Sequence, residues 1–404
     1  MELADELFDG TKSAAMPLIR HDLSLGYAQV GLLAAVPLVM GGILELPIGI
    51  ASGTGKRRHR FILIGGLAFA GSVLAVGFAG SFAVLLIALT VFFPASGAFV
   101  SLTQSELMDS APDRQAQHMA RWTLAGSAGA VLGPLLVAAV LASGGSWRQA
   151  VFTVAAAAFL VWLAVAAVGG RDRQGDGAAE SEEDAGWPGW WAMITIVRSS
   201  GALRLLFLLQ VADMLLDVLT AFLAIYLVAA TGASPSVAAL GVAVRVGAGL
   251  AGDVLLVRLL ERCESRRVLR VSGWLALLLF PAFLLVPGLG PKLAALAALT
   301  LATAPWYPVL TAELYGSLPG RSGLAVTLSS GAGLVGSLGP LTVGLLAQSF
   351  GLSWAMTALC AVPLIMLAVP ATRSPPLELR QLDDHQGHGR AGGQTGSTKL
   401  DNRD

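Results

Sequence analysis

Apolar residues along the chain gather in long blocks, and each block is close to the roughly 20 residues needed to carry a helix across a bilayer. Clear spans are predicted at about 28–51, 61–79, 82–102, 122–142 and 149–169. After a polar break they resume at 203–229, 237–257, 269–287, 293–312, 323–347 and 352–371. The stretch Leu3–Ile19 makes a twelfth, short and interrupted by Asp5, Glu6, Asp9 and Lys12. The expected fold is an all-α integral membrane protein of twelve transmembrane helices in two pseudo-symmetric six-helix bundles, with a first helix that is short or truncated.

Two acidic clusters break this apolar pattern. A-D-x-L-x-D occurs at 4–9 and again at 212–217, 208 positions apart. In a helix, residues four apart share a face, so Asp213 and Asp217 stack one turn apart, as do Asp5 and Asp9. Ionisable groups inside a spanning segment are costly and are rarely kept without a use. Two carboxylates that close in a low dielectric cannot both carry charge comfortably, which makes the pairs candidate proton carriers. Lys12, one turn from Asp9, and Arg245, in the middle of the eighth span, are their candidate charge partners; Arg245 reads equally as an anion contact lining a cavity. A structural ion-pair network is the bland reading of the same residues.

The repeat extends beyond this motif. Glu45 precedes Asp253 by 208 positions, and E-L-M-D-S-A-P-D-R at 106–114 is matched by E-L-Y-G-S-L-P-G-R at 313–321. Gly133-Pro134 corresponds to Gly339-Pro340, and Ser146-Trp147 to Ser353-Trp354. Matches in one order at offsets of 206–208 imply parallel repeats, an arrangement that in transporters places the solute site between the halves. The expected domains are an N-terminal bundle at 1–170, a cytoplasmic linker with an interfacial Trp-rich segment at 171–202, a C-terminal bundle at 203–371 and a disordered cytoplasmic tail at 372–404. The first copy of the acidic motif has only three residues before Ala4, so a start placed too late is one explanation of the short helix.

Composition and charge narrow the class. The sequence is 55% hydrophobic and only 13% charged, against about 25% charged in a soluble domain. The zero net charge gives no argument for nucleic acid as a partner. Two cysteines, Cys263 and Cys360, have no metal-ligand spacing, so no metal and no cofactor are expected. No histidine lies well inside a span, no Walker-type phosphate loop is present, and no enzyme chemistry is visible. The chain opens Met-Glu-Leu-Ala-Asp rather than on a basic segment and an apolar core, so no cleavable signal peptide is expected. Basic residues cluster at Lys56–Arg60, Arg114, Arg258–Arg270 and Arg321, whereas the opposite loops hold Arg20, Arg148 and Lys292. That asymmetry predicts a multi-pass protein of the cytoplasmic (inner) membrane with both termini in the cytoplasm.

Twelve helices in two parallel halves with a central linker resemble the major facilitator superfamily. The stretch M-P-L-I-R-H-D-L-S-L-G-Y-A-Q-V-G-L-L at 16–33 resembles the fosmidomycin-resistance-like branch of drug exporters. Three family patterns can be laid on the sequence. The loop after the second helix usually reads G-x-x-x-D-R-x-G-R-R; here Gly49 is followed by Gly53 in place of the aspartate and then by Lys56, Arg57 and Arg58. The antiporter pattern G-x-x-x-G-P is present as Gly129, Gly133 and Pro134. The arginine expected in the fourth helix, four residues before Gly97, is Phe93, and Arg121 is the nearest alternative base. The resemblance implies helix packing by Gly129, Gly133, Pro134, Gly339 and Pro340. It also implies a cytoplasmic gate among Glu45, Asp253, Arg57, Arg58 and Arg121. Glu106 and Glu313 read as structural, and Trp306 and Tyr307 either line the cavity or face lipid.

The function this implies is a monomeric secondary transporter that moves a small organic solute by alternating access, with proton-coupled export of an amphipathic or anionic compound. A proton-independent facilitator or metabolite importer is the nearest alternative, and a non-transporting sensor or scaffold on the same fold is the alternative of another class.

Overall fold

The computed structural model describes residues 1–52, 55–110, 115–168, 201–317 and 332–369. Among these, every regular element is helical. The first half runs α1 (Glu2–Asp22), α2 (Tyr27–Ser52), α3 (Gly55–Phe78) and α4 (Phe82–Ser96). A one-turn π-helix (Gly97–Ser101) then leads into α5 (Leu102–Ser110), followed by α6 (Gln115–Ala142) and α7 (Trp147–Val168). The second half runs α8 (Ala202–Thr231), α9 (Pro235–Leu260), α10 (Ser265–Leu285), α11 (Leu289–Thr303), α12 (Trp306–Ser317), α13 (Gly339–Phe350), α14 (Leu352–Ala358) and α15 (Ala361–Ala368). With α4–α5, α11–α12 and α14–α15 each forming one passage, and with a turn of helix from Ala332 leading into α13, the chain makes twelve passages. Ten of them are long and apolar enough to cross a membrane. The protein is a multi-pass membrane protein with the twelve-helix architecture expected from its hydrophobic pattern.

Local chemistry explains the turns. Ser81 Oγ accepts from the Val84 amide at the start of α4, and Ser234 Oγ accepts from the Val237 amide just before Pro235 opens α9. These are the N-cap hydroxyl and first-turn proline that helix starts favour. Gly232, at φ +66°, ends α8 in the left-handed region open to glycine. These short reversals lie on the face opposite the one where α1 begins, called here the far face and the start face.

On the far face the two halves meet. A Cβ on Gly31 of α2 would stand 2.7 Å from the Pro340 carbonyl oxygen, and one on Gly344 of α13 would stand 2.6 Å from that of Tyr27. The Tyr27 amide donates to Gln348 Oε1 at 2.9 Å across the same seam. Close approach of backbones at glycine is how membrane helices gain packing without a hydrophobic drive between them.

The far-face cations are tied into the helices. Arg148 donates to the carbonyls of Gly77 and Ala79 (2.8 and 2.9 Å), closing the C-terminus of α3. Lys292 is 3% exposed and donates to the carbonyls of Phe283 and Leu284 at the end of α10 (2.7 and 2.9 Å), with the rings of Tyr226 and Phe283 beside it. A cation at a helix C-terminus satisfies orphan carbonyls and opposes the dipole. Lys292→Met keeps the stem and loses both bonds; given about 1.5–3 kcal/mol for a hydrogen bond to a charged group, the melting temperature of the purified protein should fall measurably.

Two expectations meet a different structure, and one matched pair of the repeat diverges. The basic run 56–60 is not a loop but the opening of α3, because Lys and Arg are good helix formers and the helix continues past its apolar part. Trp306 is buried (2% exposed), with its indole nitrogen donating to Ser272 Oγ, so it lines no cavity. Trp354, matched in sequence to buried Trp147, is exposed, because Trp147 donates to Asp22 and the position equivalent to Asp22 in the second half is Ala230. The expected linker and Trp-rich segment, the tail, Arg114 and Arg321 lie outside the described residues.

Candidate functional site

The site is built from one polar stripe on each of two equivalent helices. Along α1, Asp5, Glu6, Asp9, Lys12, Ser13 and Met16 recur at helical spacing and face a cavity of about 1020 Å³. The opposite side of α1, including Phe8, Thr11, Ala15 and Ile19, is buried in its own half. Along α8, Gln210, Asp213, Asp217 and Thr220 face the same cavity from the other half. Asp9 lies thirteen residues before the end of α1 and Asp217 fourteen before the end of α8. At 1.5 Å per residue both sit about 20 Å from the far-face ends of their helices, at matching depth. The four aspartates singled out from the sequence therefore line one space. The first helix is indeed shorter than its counterpart, 21 residues against 30, and the shortfall lies at the start face.

What holds α1 in place is its contact with α6. A Cβ on Gly129 would meet the Leu3 carbonyl oxygen at 2.4 Å, and one on Gly133 the Leu7 oxygen at 2.5 Å. In return Gly10 of α1 faces the Ala130 oxygen and Pro134 Cδ, both at 2.8 Å from an added Cβ. In the second half Gly339 packs against Met214 of α8, and Pro340 lines the cavity.

The charges are partnered unequally. Lys12 pairs with Asp9 and lies 5.3 Å from the centre of the Phe93 ring. The ammonium of α1 thus lies over the ring at the position where the family resemblance leads one to expect an arginine. Asp5 accepts from Ser96 Oγ at 2.7 Å, and Glu45 from Ser101 Oγ at 3.4 Å. Ser96 precedes and Ser101 ends the π-helical turn Gly97–Ser101, a local widening often found where a helix carries function. The equivalent passage in the second half breaks at Ala304–Pro305, between α11 and α12. Glu6, Asp213 and Asp217 make no hydrogen bond or ion pair with any described residue.

A second cavity of about 560 Å³ shares Asp5, Glu6, Ser96 and Ser101 with the first and extends between α6 and α9. Arg245 and Asp253 line this second space, together with Glu2. Arg245 donates to the Leu216 carbonyl at 3.3 Å and forms no ion pair with Asp213 or Asp217. Among the gate candidates, Glu45 lines the first cavity and Asp253 the second. Arg57 and Arg121 are exposed, and neither they nor Arg58 line either space.

Sequence reasoning passed over Glu6, Gln210, Ser13, Ser96 and Ser101. Gln210 carries a usable signal: it stands 208 positions after Glu2, extending the acidic repeat by one turn. On the same offset Lys12 faces Thr220, so the cation belongs to the first half alone.

Two helical bundles closed together on one face, with ionisable residues from both around a central cavity, define a membrane transporter. The chain belongs to the major facilitator superfamily: the family model described as Major Facilitator Superfamily matches residues 7–219. Transporters of this family bind small-molecule solutes within the membrane, and the fold fits the expectation of a non-enzyme. No curated protein matches the chain by sequence. Solved structures resemble it in fold. A bacterial homologue of the human lysosomal transporter Spinster, inward-facing and unoccupied, superposes with a TM-score of 0.76 at 17% identity, covering 92% of this chain and 94% of that one. The nucleoside transporter NupG gives 0.73 at 10% identity, covering 91% and 95%. The peptide transporter POT, in complex with sulfate, gives 0.69 at 16%, covering 91% and 92%.

Proposed function

We propose that the chain is a monomeric secondary active transporter that moves a small organic solute by alternating access, coupled to protons and working in the direction of export. The observation that carries this reading is the pairing of Asp5 and Asp9 with Asp213 and Asp217 across one cavity at one depth. A group that can be reached from either side in turn, and whose charge is expensive to leave unbalanced, is what couples a proton to a conformational change. Arg57, Arg58 and the basic start of α3 support a start face on the cytoplasmic side. With the far face sealed at Tyr27–Gln348 and Gly31–Gly344, the conformation is then the inward-open half of the cycle, with N- and C-termini in the cytoplasm. Rocking the halves about the seam moves the four aspartates from one side to the other, while Glu45 and Asp253 join the basic residues in closing the start face. Export carries over from the resemblance to drug exporters.

The test is a reconstituted protein in liposomes with an imposed pH gradient, read as solute-dependent proton flux. Wild type should couple; Asp213→Asn and Asp217→Asn should each leave the protein folded and reduce coupled flux by roughly tenfold or more, since the amide that replaces each half-buried carboxylate cannot take up or release the proton. Coupling retained in both variants would rule out the proton role of this pair.

A further inference from the structure

We propose that the solute is an organic cation, a lipophilic amine or ammonium compound, rather than an anion; the inference rests on the transporter reading and sharpens its substrate class. The central cavity is walled by six carboxylates, those of Asp5, Glu6, Asp9, Glu45, Asp213 and Asp217, against one ammonium, that of Lys12. Lys12 is already paired with Asp9 and faces Phe93, so it offers an entering anion little. Arg245, the other cation nearby, opens on the second cavity, where Glu2, Asp5, Glu6 and Asp253 outnumber it, and it is hydrogen-bonded to a carbonyl. Carboxylates gathered in this way must be balanced by protons, by a cation, or by both. An anion would add to the imbalance.

Neutral and apolar groups complete the wall. Ser13 is 4% exposed, and its Oγ, buried in the cavity wall, has no hydrogen-bond partner. Gln210 of α8 also lines the cavity, with its Oε1 buried, unpartnered and packed against Gly336. An unpartnered buried polar group is costly; the Ser13 hydroxyl can accept from an N–H of a solute or donate to it, so it marks a polar contact without choosing the charge. Phe93 lines the cavity beside Lys12, and buried Phe92 packs on Phe8 and Phe69 behind it. Met16, Leu33, Leu38 and Leu334 supply apolar wall for a lipophilic body.

Exchange follows from shared ground. A cation that settles among these carboxylates replaces the protons that balanced them, so each solute bound releases protons to the open side, and the reverse exchange reloads them. Charge and protons balance without any further reactant.

The experiment uses two probes of nearly the same shape and opposite permanent charge, tetraphenylphosphonium and tetraphenylborate. Each is titrated by calorimetry into the whole protein in lipid nanodiscs, with empty nanodiscs as the blank and proton release read in two buffers of different ionisation heat. Tetraphenylphosphonium should bind roughly tenfold or more tighter than tetraphenylborate and release protons on binding. Asp217→Asn should weaken it and Lys12→Gln should tighten it. Opposite shifts from two near-isosteric changes cannot come from misfolding. Equal or tighter binding of the borate, binding of neither probe, or cation binding indifferent to both substitutions overturns the proposal. Because binding is measured without transport, coupled flux with a preference for the borate removes only the cation assignment. Cation binding with no flux removes only the transporter reading.

Discussion

Gly133→Ala lowers the melting temperature of the purified protein further than a methyl group added where a helix faces open space, and it abolishes transport as well. A Cβ at this position falls 2.5 Å from the Leu7 carbonyl oxygen and 2.7 Å from the Thr11 amide nitrogen. Both are backbone atoms of α1, so no side chain can rotate out of the way and the helix itself must move. Overpacking of this kind typically costs about 1–3 kcal/mol, and the rigid partners here place it at the upper end. The loss of function follows from the same displacement, because α1 carries Asp5, Asp9 and Lys12 on its cavity side. Gly129→Ala, 2.4 Å from the Leu3 oxygen, should behave alike. Gly71 in α3 is the control: nothing lies within 4 Å of its added Cβ, so Gly71→Ala should be neutral or stabilising by up to about 1 kcal/mol through helix propensity. Thermal melting of the three variants in detergent checks the set, and a Gly133→Ala protein that melts with the wild type would mean that α1 and α6 are not in this contact.

The same residues show which parts of the molecule were legible in sequence. The spans were visible because a bilayer imposes a length and a composition, and the acidic pairs because charge in such a segment stands out against an apolar background. The repeat then brought Asp5 and Asp9 together with Asp213 and Asp217, since equal offsets put equivalent helices at equivalent depth. Contacts between different helices of one half were not legible. That Lys12 reaches the ring of Phe93 depends on how α1 and α4 are rotated about their axes, which no periodicity in a uniformly apolar helix reveals. Ser96 looks like any serine that bonds back to its own helix, as Thr90 and Thr103 do, until the π-helical turn redirects it toward Asp5. Counting basic residues by face gave no sign that Arg148 and Lys292 are occupied in closing helix ends.

Lys12→Gln abolishes most proton-coupled flux, and adding Phe93→Arg to it restores a substantial part. Removing one member of a buried ion pair costs about 3–5 kcal/mol. The Asp9 side chain is 37% exposed, so solvent screening reduces this to about 1–2 kcal/mol, or roughly tenfold in rate. The variant should still hold a cationic probe, more tightly than wild type, because a competing positive charge has gone; the defect lies in release and turnover. An arginine at position 93 projects from α4 toward the place where the Lys12 ammonium now lies, since that ammonium is 5.3 Å from the Phe93 ring centre. The guanidinium can then pair with Asp9 from the neighbouring helix. Phe93→Arg alone sets two cations side by side and should impair flux rather than improve it. Flux in liposomes under a pH gradient, measured for the two single variants and the double, separates the cases. Rescue in the double variant means that a cation beside Asp9 is what the cycle requires, whichever of α1 or α4 carries it. A double variant no better than Lys12→Gln means that the lysine acts through its own titration or its place on α1, and that its position over Phe93 is packing alone.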